Sequence, residues 1–438
     1  MIGKPTNVIR AVTRRLPPAL KQAIQRALYL PASPTAFIAV MPLLHALGIL
    51  RRPRHKAGGP VRRILISYPY GNLGDLVLAL PMLEAIHARW PAATIDAVVN
   101  ERTADFVSAI PFVEHVYRYT LREARIRELT GYLRVIEIFK LYRNEVIAQH
   151  YDLAITPRWG EDACYGNYLV YLSGAKIRCG YSASVDGRNP ALDWLLTHVA
   201  KGGHHEQEAV RDLKLLSRTG LKEDTVEDSD VVSRPIKTLK EMATAEMNGA
   251  SWKELGLPST KYVVISSGAT NPRRVWPIQN LATLMERLQQ REELTFLLIG
   301  GPDEARLCEQ LARQSPVRTI SLAGKTTLMQ LVALTANAVL FIGNDSGPAH
   351  IAGALGVPTV VISPFPLSCN LEHPNSPARF RPCGPHVSIV RPAEPLAPCV
   401  QTCELDEAHC IQQVSVDQVL RAIDQLIQAV NVPQNSVL

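Results

Sequence analysis

No stretch of this sequence is long and apolar enough to cross a bilayer uninterrupted. The nearest is TAFIAVMPLLHALGIL, sixteen residues from Thr35 to Leu50 without a charge. A spanning helix needs about 20, and Pro42 and His45 break the run. No small-residue cleavage pattern follows it, which argues against a cleaved signal peptide. Aromatic residues are few, at 6%. No lysine-rich tract interleaved with them occurs, so the chain is not patterned for nucleic acid. Cysteine pairs at C-x2-C spacing are missing, which removes the usual zinc-ribbon signal. The GxxxxGK[ST] spacing of a P-loop and the GxGxxG spacing of a dinucleotide fold are missing too.

What is present is a globular composition, 47% hydrophobic and 20% charged, in a chain long enough for two domains. The net charge of +7 favours anionic partners such as nucleotides or an acidic membrane face. Residues 1–60 stand apart. Arg10, Arg14, Arg15, Lys21 and Arg26 surround apolar Leu20, Ile24 and Leu28 at helical spacing, and RRPRHK follows the uncharged run. A segment lying on an anionic membrane surface fits this pattern; a helical pair packed on the body fits it as well.

From Val61 strands and helices alternate. RRILIS predicts a strand, DLVLALPMLEAIHARW an amphipathic helix, and TIDAVV the next strand. A like unit starts about 200 residues later with KYVVISS, PIQNLATLMERLQQ and LTFLLIGG. VRTISL, TLMQLVALTANA, VLFIG, GPAHIAGAL and PTVVIS continue the alternation. Short all-apolar strands separated by helices predict parallel sheets covered on both faces. The expected architecture is α/β, two doubly wound units facing a cleft. The first spans 61–235 and the second 241–415, with the boundary in the polar stretch 223–240. A final amphipathic helix, in 416–438, is expected to pack back across both.

Ligands of doubly wound sheets bind beyond the carboxyl ends of the strands, where the unusual residues fall. After ILIS, the turn SYPYGNLGD carries Gly71, Gly74 and Asp75. The glycines permit a tight turn and close approach of a ligand. Asp75 either caps the helix or serves as a general base for an attacking hydroxyl. After VLFIG comes NDSGPAHIAGALG, with Ser346 at the N-cap position, then Gly347 and Pro348. Open N–H groups at that helix start suit a diphosphate. Asp345 beside them would repel phosphate, which leaves it to bind a hydroxyl or orient the loop amides. His350 either reaches a ligand or is satisfied in the packing. The loop SSGATNPRRVWP offers the Thr270 hydroxyl and the adjacent cations Arg273 and Arg274, either phosphate ligands or a solvated pair. LAGKTTL lacks the upstream glycine of a P-loop, yet places Lys325 and Thr326 at a strand end. One base on one wall and cations on the other suit group transfer from a nucleotide-activated donor, with no metal or cofactor required.

ILISYPYGNLGDLVLALPMLEAIHARWPAATIDAVV and FIGNDSGPAHIAGALGVPTVVI resemble the two hallmark segments of glycosyltransferase family 9, the bacterial lipopolysaccharide heptosyltransferases. GATNPRRVWP and LAGKTTL resemble two further family segments in the right order. CVQTCELDEAHCI is similar to a cysteine-bearing tail of some members. The resemblance runs from Arg63 onward and implies a GT-B fold. It also implies an inverting, metal-independent transfer of heptose from ADP-heptose onto a lipopolysaccharide-core or other lipid-linked acceptor. By motif, Asp75 matches the general base, Thr270 a hydroxyl near the phosphates, and Asp345, Ser346 and Gly347 the donor loop with His350 its histidine. Arg274 stands where the family usually has a lysine, and Ser346 where it usually has a threonine.

The resemblance further implies a protein at the cytoplasmic face of the membrane. Alternatives are a different nucleotide-sugar donor, a nucleotide-sugar epimerase, or a non-catalytic binding protein. Acceptor residues are expected in the first unit, with Arg158, His204 and His205 as polar candidates. The crowded cysteines Cys369, Cys383, Cys399, Cys403 and Cys410 read first as free thiols, with a structural metal or a local disulfide as the other readings.

Overall fold

A computed structural model describes residues 60–431 except 70–71, 121–136, 139, 147, 158–165, 183, 185–189, 204–205, 222–231, 250–251, 253–254, 259 and 371–375. The basic first segment, Gly71, Arg158, His204 and His205 therefore lie outside the described residues. Two six-stranded sheets carry the fold. The first contains β1 (Arg63–Tyr68), β2 (Thr94–Asn100), β3 (Val113–Tyr119), β4 (Leu153–Thr156), β5 (Ile177–Tyr181) and β6 (His198–Ala200). The second contains β7 (Tyr262–Ser266), β8 (Thr295–Ile299), β9 (Thr319–Ser321), β10 (Leu340–Asn344), β11 (Thr359–Ile362) and β12 (Val387–Val390). Their orders are β3-β2-β1-β4-β5-β6 and β12-β11-β10-β7-β8-β9. Every pairing is parallel. Each sheet therefore changes winding direction beside its own first strand, as in a Rossmann fold. This is the GT-B arrangement of two doubly wound units.

The described helices of seven residues or more are α1 (Leu73–Arg89), α2 (Gly166–Leu172), α3 (Glu208–Arg218), α4 (Lys237–Met247), α5 (Ile278–Gln289), α6 (Ala305–Gln314), α7 (Leu328–Ala336), α8 (Gly347–Leu355) and α9 (Val416–Asn431). Helix α5 buries Ile278, Leu281, Leu284, Met285 and Leu288, one stripe at spacings of three and four, as a surface helix should. Helix α1 differs, burying Leu76, Val77, Leu78, Leu80, Met82, Leu83 and Ile86, an apolar girdle around most of the cylinder. The cause is its position: it packs on α3 and also on α8 of the other half.

Alternation along the second sheet sorts its two faces. Tyr262, Val264, Leu297, Ile299, Phe341 and Val361 join a core that also holds Ile64, Leu65, Leu76 and Leu80 of the first half. Val263, Ile265, Phe296, Leu298, Ile342 and Val360 face away from it, into a second core with α5 and α9. Helix α9 thus lies on the second sheet and does not bridge the halves. Its stripe of Val419, Leu420, Ile423 and Leu426 fills that face, and Arg287–Asp417 at 2.5 Å and Arg291–Asp424 at 2.6 Å tie it to α5.

A buried clasp joins the halves. Glu208 accepts from Arg379 Nε at 2.8 Å and also pairs with Arg211. Its own N–H donates to the Arg379 carbonyl at 2.9 Å. Gln207 caps α3 through Oε1 while its Nε2 donates to the Arg381 carbonyl at 2.9 Å. Burial pulls the Arg211 guanidinium down to about 10, against the opposing charge of Asp212. Nearby, Ile236 N–H donates to Ala354 O at 2.7 Å and Thr238 N–H to Glu84 Oε1 at 2.7 Å.

Removing one member of a buried ion pair strands the others without solvent. Glu208→Ala is expected to cost about 3–5 kcal/mol, read as a lower urea midpoint at an unchanged m-value.

Candidate functional site

The two switch points put three chain segments together. The first is the turn after β1 that opens α1, the second the loop after β7, and the third the short link from β10 into α8. Asn344 ends β10 and is buried. Its Nδ2 donates to the carbonyls of Ser267 at 2.8 Å and Gly268 at 3.3 Å, and its Oδ1 accepts from Trp276 N–H at 3.0 Å. One side chain thereby fixes both ends of the loop that carries the arginines. Trp276, fully buried, adds a bond from Nε1 to Val414 O at 2.9 Å.

Between those anchors a single 3-10 turn, Pro272–Arg274, sends the two arginines to different places. Arg274 Nη1 reaches the Asp345 carbonyl at 3.1 Å and its carboxylate at 3.2 Å. Arg273 Nη1 instead donates to Cys403 O at 3.0 Å, with Asp406 at 3.5 Å. In this structure the two arginines part, Arg274 toward the Asp345 loop and Arg273 toward the cysteine-bearing segment, so they are not the solvated pair that was the other reading. Asp345 does not stand alone; it is paired with Arg274. Burial nonetheless pushes its carboxyl above the usual range, with Arg274 opposing.

Ser346 occupies the N-cap position of α8, but its hydroxyl donates back to Asn344 O at 3.2 Å. Its side chain makes no cap bond to this helix, which leaves the positive dipole end of the helix suited to an anion. Asp75 is not a cap either. It is the third residue of α1, and its Oδ2 accepts from the Nδ2 of Asn72, the N-cap residue, at 3.0 Å.

The starts of α1 and α8 come into contact at glycines. A Cβ on Gly74 would stand 2.8 Å from His350 Cδ2, and one on Gly347 would stand 3.1 Å from Leu73 Cβ. The imidazole of His350 therefore lies against the backbone that carries Asp75. Burial draws His350 down to about 4, Arg274 adds to this, and Asp75 opposes it. The ring is neutral at pH 7. Its buried Nδ1 has no hydrogen-bond partner among the described residues. The structure thus gathers Gly74, Asp75, Arg274, Asp345, Gly347 and His350.

Ser346 lies within this group by its place in the chain, between Asp345 and Gly347. Thr270 is exposed on its loop. Lys325 donates to Ser321 O of its own turn at 3.0 Å. Thr326 is half-buried, and it is its neighbour Thr327 that starts α7, in a capping box with Gln330. Asn344 and Asn72 were not among the expected site residues. The first could have been found as a lone polar residue ending an apolar strand, the second as an asparagine three positions before an acid at a helix start. The tail also draws Cys399, Cys403, His409 and Cys410 together, with ligand atoms all within 4.8 Å. Cys369 and Cys383 lie elsewhere, against Arg391 and Gln207.

The profile of glycosyltransferase family 9 (heptosyltransferase) matches residues 139–409. The chain belongs to this family. It is accordingly a glycosyltransferase. Lipopolysaccharide heptosyltransferase 3 of Escherichia coli is 26% identical over 303 residues, 66% of this chain and 79% of that protein. Lipooligosaccharide heptosyltransferase 2 of Haemophilus ducreyi is 22% identical over 373 residues, 83% and 99%. Among solved structures, E. coli ADP-heptose lipopolysaccharide heptosyltransferase II has the same fold, with a TM-score of 0.60 and 18% identity over 85% of this chain and 100% of that one. An E. coli heptosyltransferase solved with ADP aligns with a TM-score of 0.60 and 18% identity over 83% and 99%. In this glycosyltransferase, no helix among the described residues is long and apolar enough to cross a membrane.

His350 gives the site a pH signature. The folded state holds the ring neutral down to about 4, whereas an unfolded histidine protonates near 6.5. Acid therefore favours the unfolded chain: the stability is complete above pH 6.5 and falls as pH drops to 4. The loss is about 3 kcal/mol over that window. His350→Gln should flatten that part of a stability-versus-pH curve measured by chemical denaturation.

Proposed function

We propose that this glycosyltransferase moves heptose from ADP-heptose onto a lipopolysaccharide-core or other lipid-linked glycan, by a single inverting displacement that uses no metal at the reacting atoms. The observation that carries the reading is the contact between Gly74 and His350. It sets a carboxylate from one half opposite a cation and an open helix start from the other. The family membership and the likeness to a heptosyltransferase fold solved with ADP support the donor.

In this reading Asp75 takes the proton of the acceptor hydroxyl as its oxygen attacks the anomeric carbon. The bond from that carbon to the diphosphate oxygen breaks on the opposite face, and ADP departs with the electron pair. Of the two carboxylates gathered at the site, Asp345 is held by Arg274, which leaves Asp75 to face the reacting centre. A double displacement needs a second, nucleophilic group, so the single available carboxylate argues for inversion. The developing charge on the diphosphate meets the Arg274 guanidinium and the first N–H groups of α8. Asp345 aims Arg274 and restrains its rotamers. His350, being neutral, offers a hydrogen bond at Nδ1 to a substrate oxygen without adding a second charge. Arginine in place of the usual lysine keeps the cation and gives it two parallel donors.

With a lipid-linked acceptor, the enzyme works peripherally at the inner face of the cytoplasmic membrane. The basic residues of 1–60 would add attraction to anionic lipid at about 1 kcal/mol per residue near the surface.

Two variants separate binding from chemistry. Asp75→Asn should lower kcat by about 10²–10⁴ and leave ADP affinity within about twofold. Arg274→Ala should weaken ADP by about 10–100-fold, with Arg274→Lys recovering part. Calorimetry with ADP and product formation from ADP-heptose read both. Full activity in Asp75→Asn would sink the base assignment, and preference for UDP or GDP over ADP would sink the donor.

A further inference from the structure

The transfer chemistry leaves one built cluster unused. Cys399, Cys403 and Cys410 are buried near the end of the second half, and His409 lies among them. Their order is Cys399-x3-Cys403-x5-His409-Cys410, a spacing that hides the set from a search for paired C-x2-C. His409 Nδ1 lies 3.5 Å from Cys399 Sγ and 3.6 Å from Cys410 Sγ. Zinc bonds of about 2.3 Å to sulfur and about 2.05 Å to nitrogen, at tetrahedral angles, give N···S edges of about 3.6 Å. The observed separations have that edge length. All four ligand atoms fit within 4.8 Å, which also accommodates S···S edges of about 3.8 Å.

Neither a disulfide nor simple apolar packing accounts for all four groups. A disulfide joins two sulfurs at about 2.05 Å, and would strand the third thiol and the imidazole. All three cysteines are free thiols. A purely apolar cluster has no use for a histidine or for inward N–H groups. Here Glu404 N–H donates to Cys399 Sγ at 3.4 Å and Leu396 N–H to Cys410 Sγ at 3.4 Å. Such donors stabilise thiolates and are the usual outer support of metal-bound cysteine.

We propose that Cys399, Cys403 and Cys410 through Sγ, and His409 through Nδ1, form a closed tetrahedral site for a structural zinc ion. Four protein ligands leave no position for water or substrate, so the ion does not join the transfer reaction. Its role follows from what the segment touches. The Cys403 carbonyl holds Arg273 at 3.0 Å. Cys410 opens the 3-10 turn Cys410–Gln413, and the next residue, Val414, accepts from the Trp276 indole at 2.9 Å. These contacts grip residues on both sides of Arg274. Zinc binding therefore sets the position of the arginine loop from behind.

The test uses the full chain. Metal content is measured on protein purified without chelator, alongside Co²⁺ loading of protein stripped under reducing conditions. One zinc per chain is expected, lost in Cys403→Ser and in His409→Ala and retained in Cys383→Ser, a buried cysteine outside the set. Cobalt should give intense visible d–d bands and near-ultraviolet thiolate charge transfer. Stripping should lower Tm and weaken ADP binding several-fold, with Zn²⁺ restoring both. These readouts are independent of which sugar is transferred. Zinc-free protein that shows no cobalt bands on titration would overturn the proposal, even should the variants fail to fold. Zinc retained by both ligand variants would overturn it as well, and iron in the same ligands would overturn the choice of zinc.

Discussion

Everything at the site depends on two helix N-termini approaching to backbone contact. Each carries a partial positive charge and a set of unsatisfied N–H groups, so bringing them together is unfavourable without compensation. The compensation is visible. Asp75 sits in the first turn of one helix and Asp345 just before the other, while glycines at 74 and 347 remove the side chains that would hold the helices apart. The buried Glu208–Arg379 pair and the linking N–H bonds at Ile236 and Thr238 supply the holding force from the flank. In the proposed reaction the donor diphosphate is the anion that completes the charge balance.

The same balance governs the cations. At rest Arg274 directs its charge at Asp345, a carboxyl whose own burial already disfavours ionisation. In the proposed reaction that pair loosens as the donor diphosphate offers stronger, bidentate contacts. A positive histidine at 350 would compete for the same anion and repel Arg274, and burial prevents it from forming. Polarity is thus arranged so that one side of the site stays basic in the chemical sense and the other electropositive.

Much of this was legible in the residues. Strands such as LFIGN and YVVIS are short, apolar and bounded by turn residues, and a parallel sheet leaves few other fates for them. Asp75 after two glycines and the NDSGPAH turn mark the two switch points. What the pattern did not carry was direction. Arg273 and Arg274 are adjacent and chemically alike, and only the 3-10 turn decides that one faces the site and the other the cysteine segment. Lys325 matches a familiar dipeptide, yet its ammonium caps its own turn. His409 carries no familiar spacing signal, because C-x3-C-x5-H-C is not one of the paired C-x2-C patterns, although all four groups lie in one short segment. Helix α9 is amphipathic wherever it packs, and only the open second face of the second sheet assigns it a place.

The split of the second sheet between two cores has a consequence for how the protein is made and handled. One face is shared with the first half through α1 and α8, and the other is closed by α9. A fragment ending between the halves would present the girdle of α1 to water, and a chain stopped before residue 416 would lack the cover that α9 gives β11 and β12, where Val360, Ile362 and Val390 join its core. During synthesis that face of β11 and β12 stays uncovered until α9 has emerged. Full separation of the halves would expose the apolar surface that α1 and α8 share.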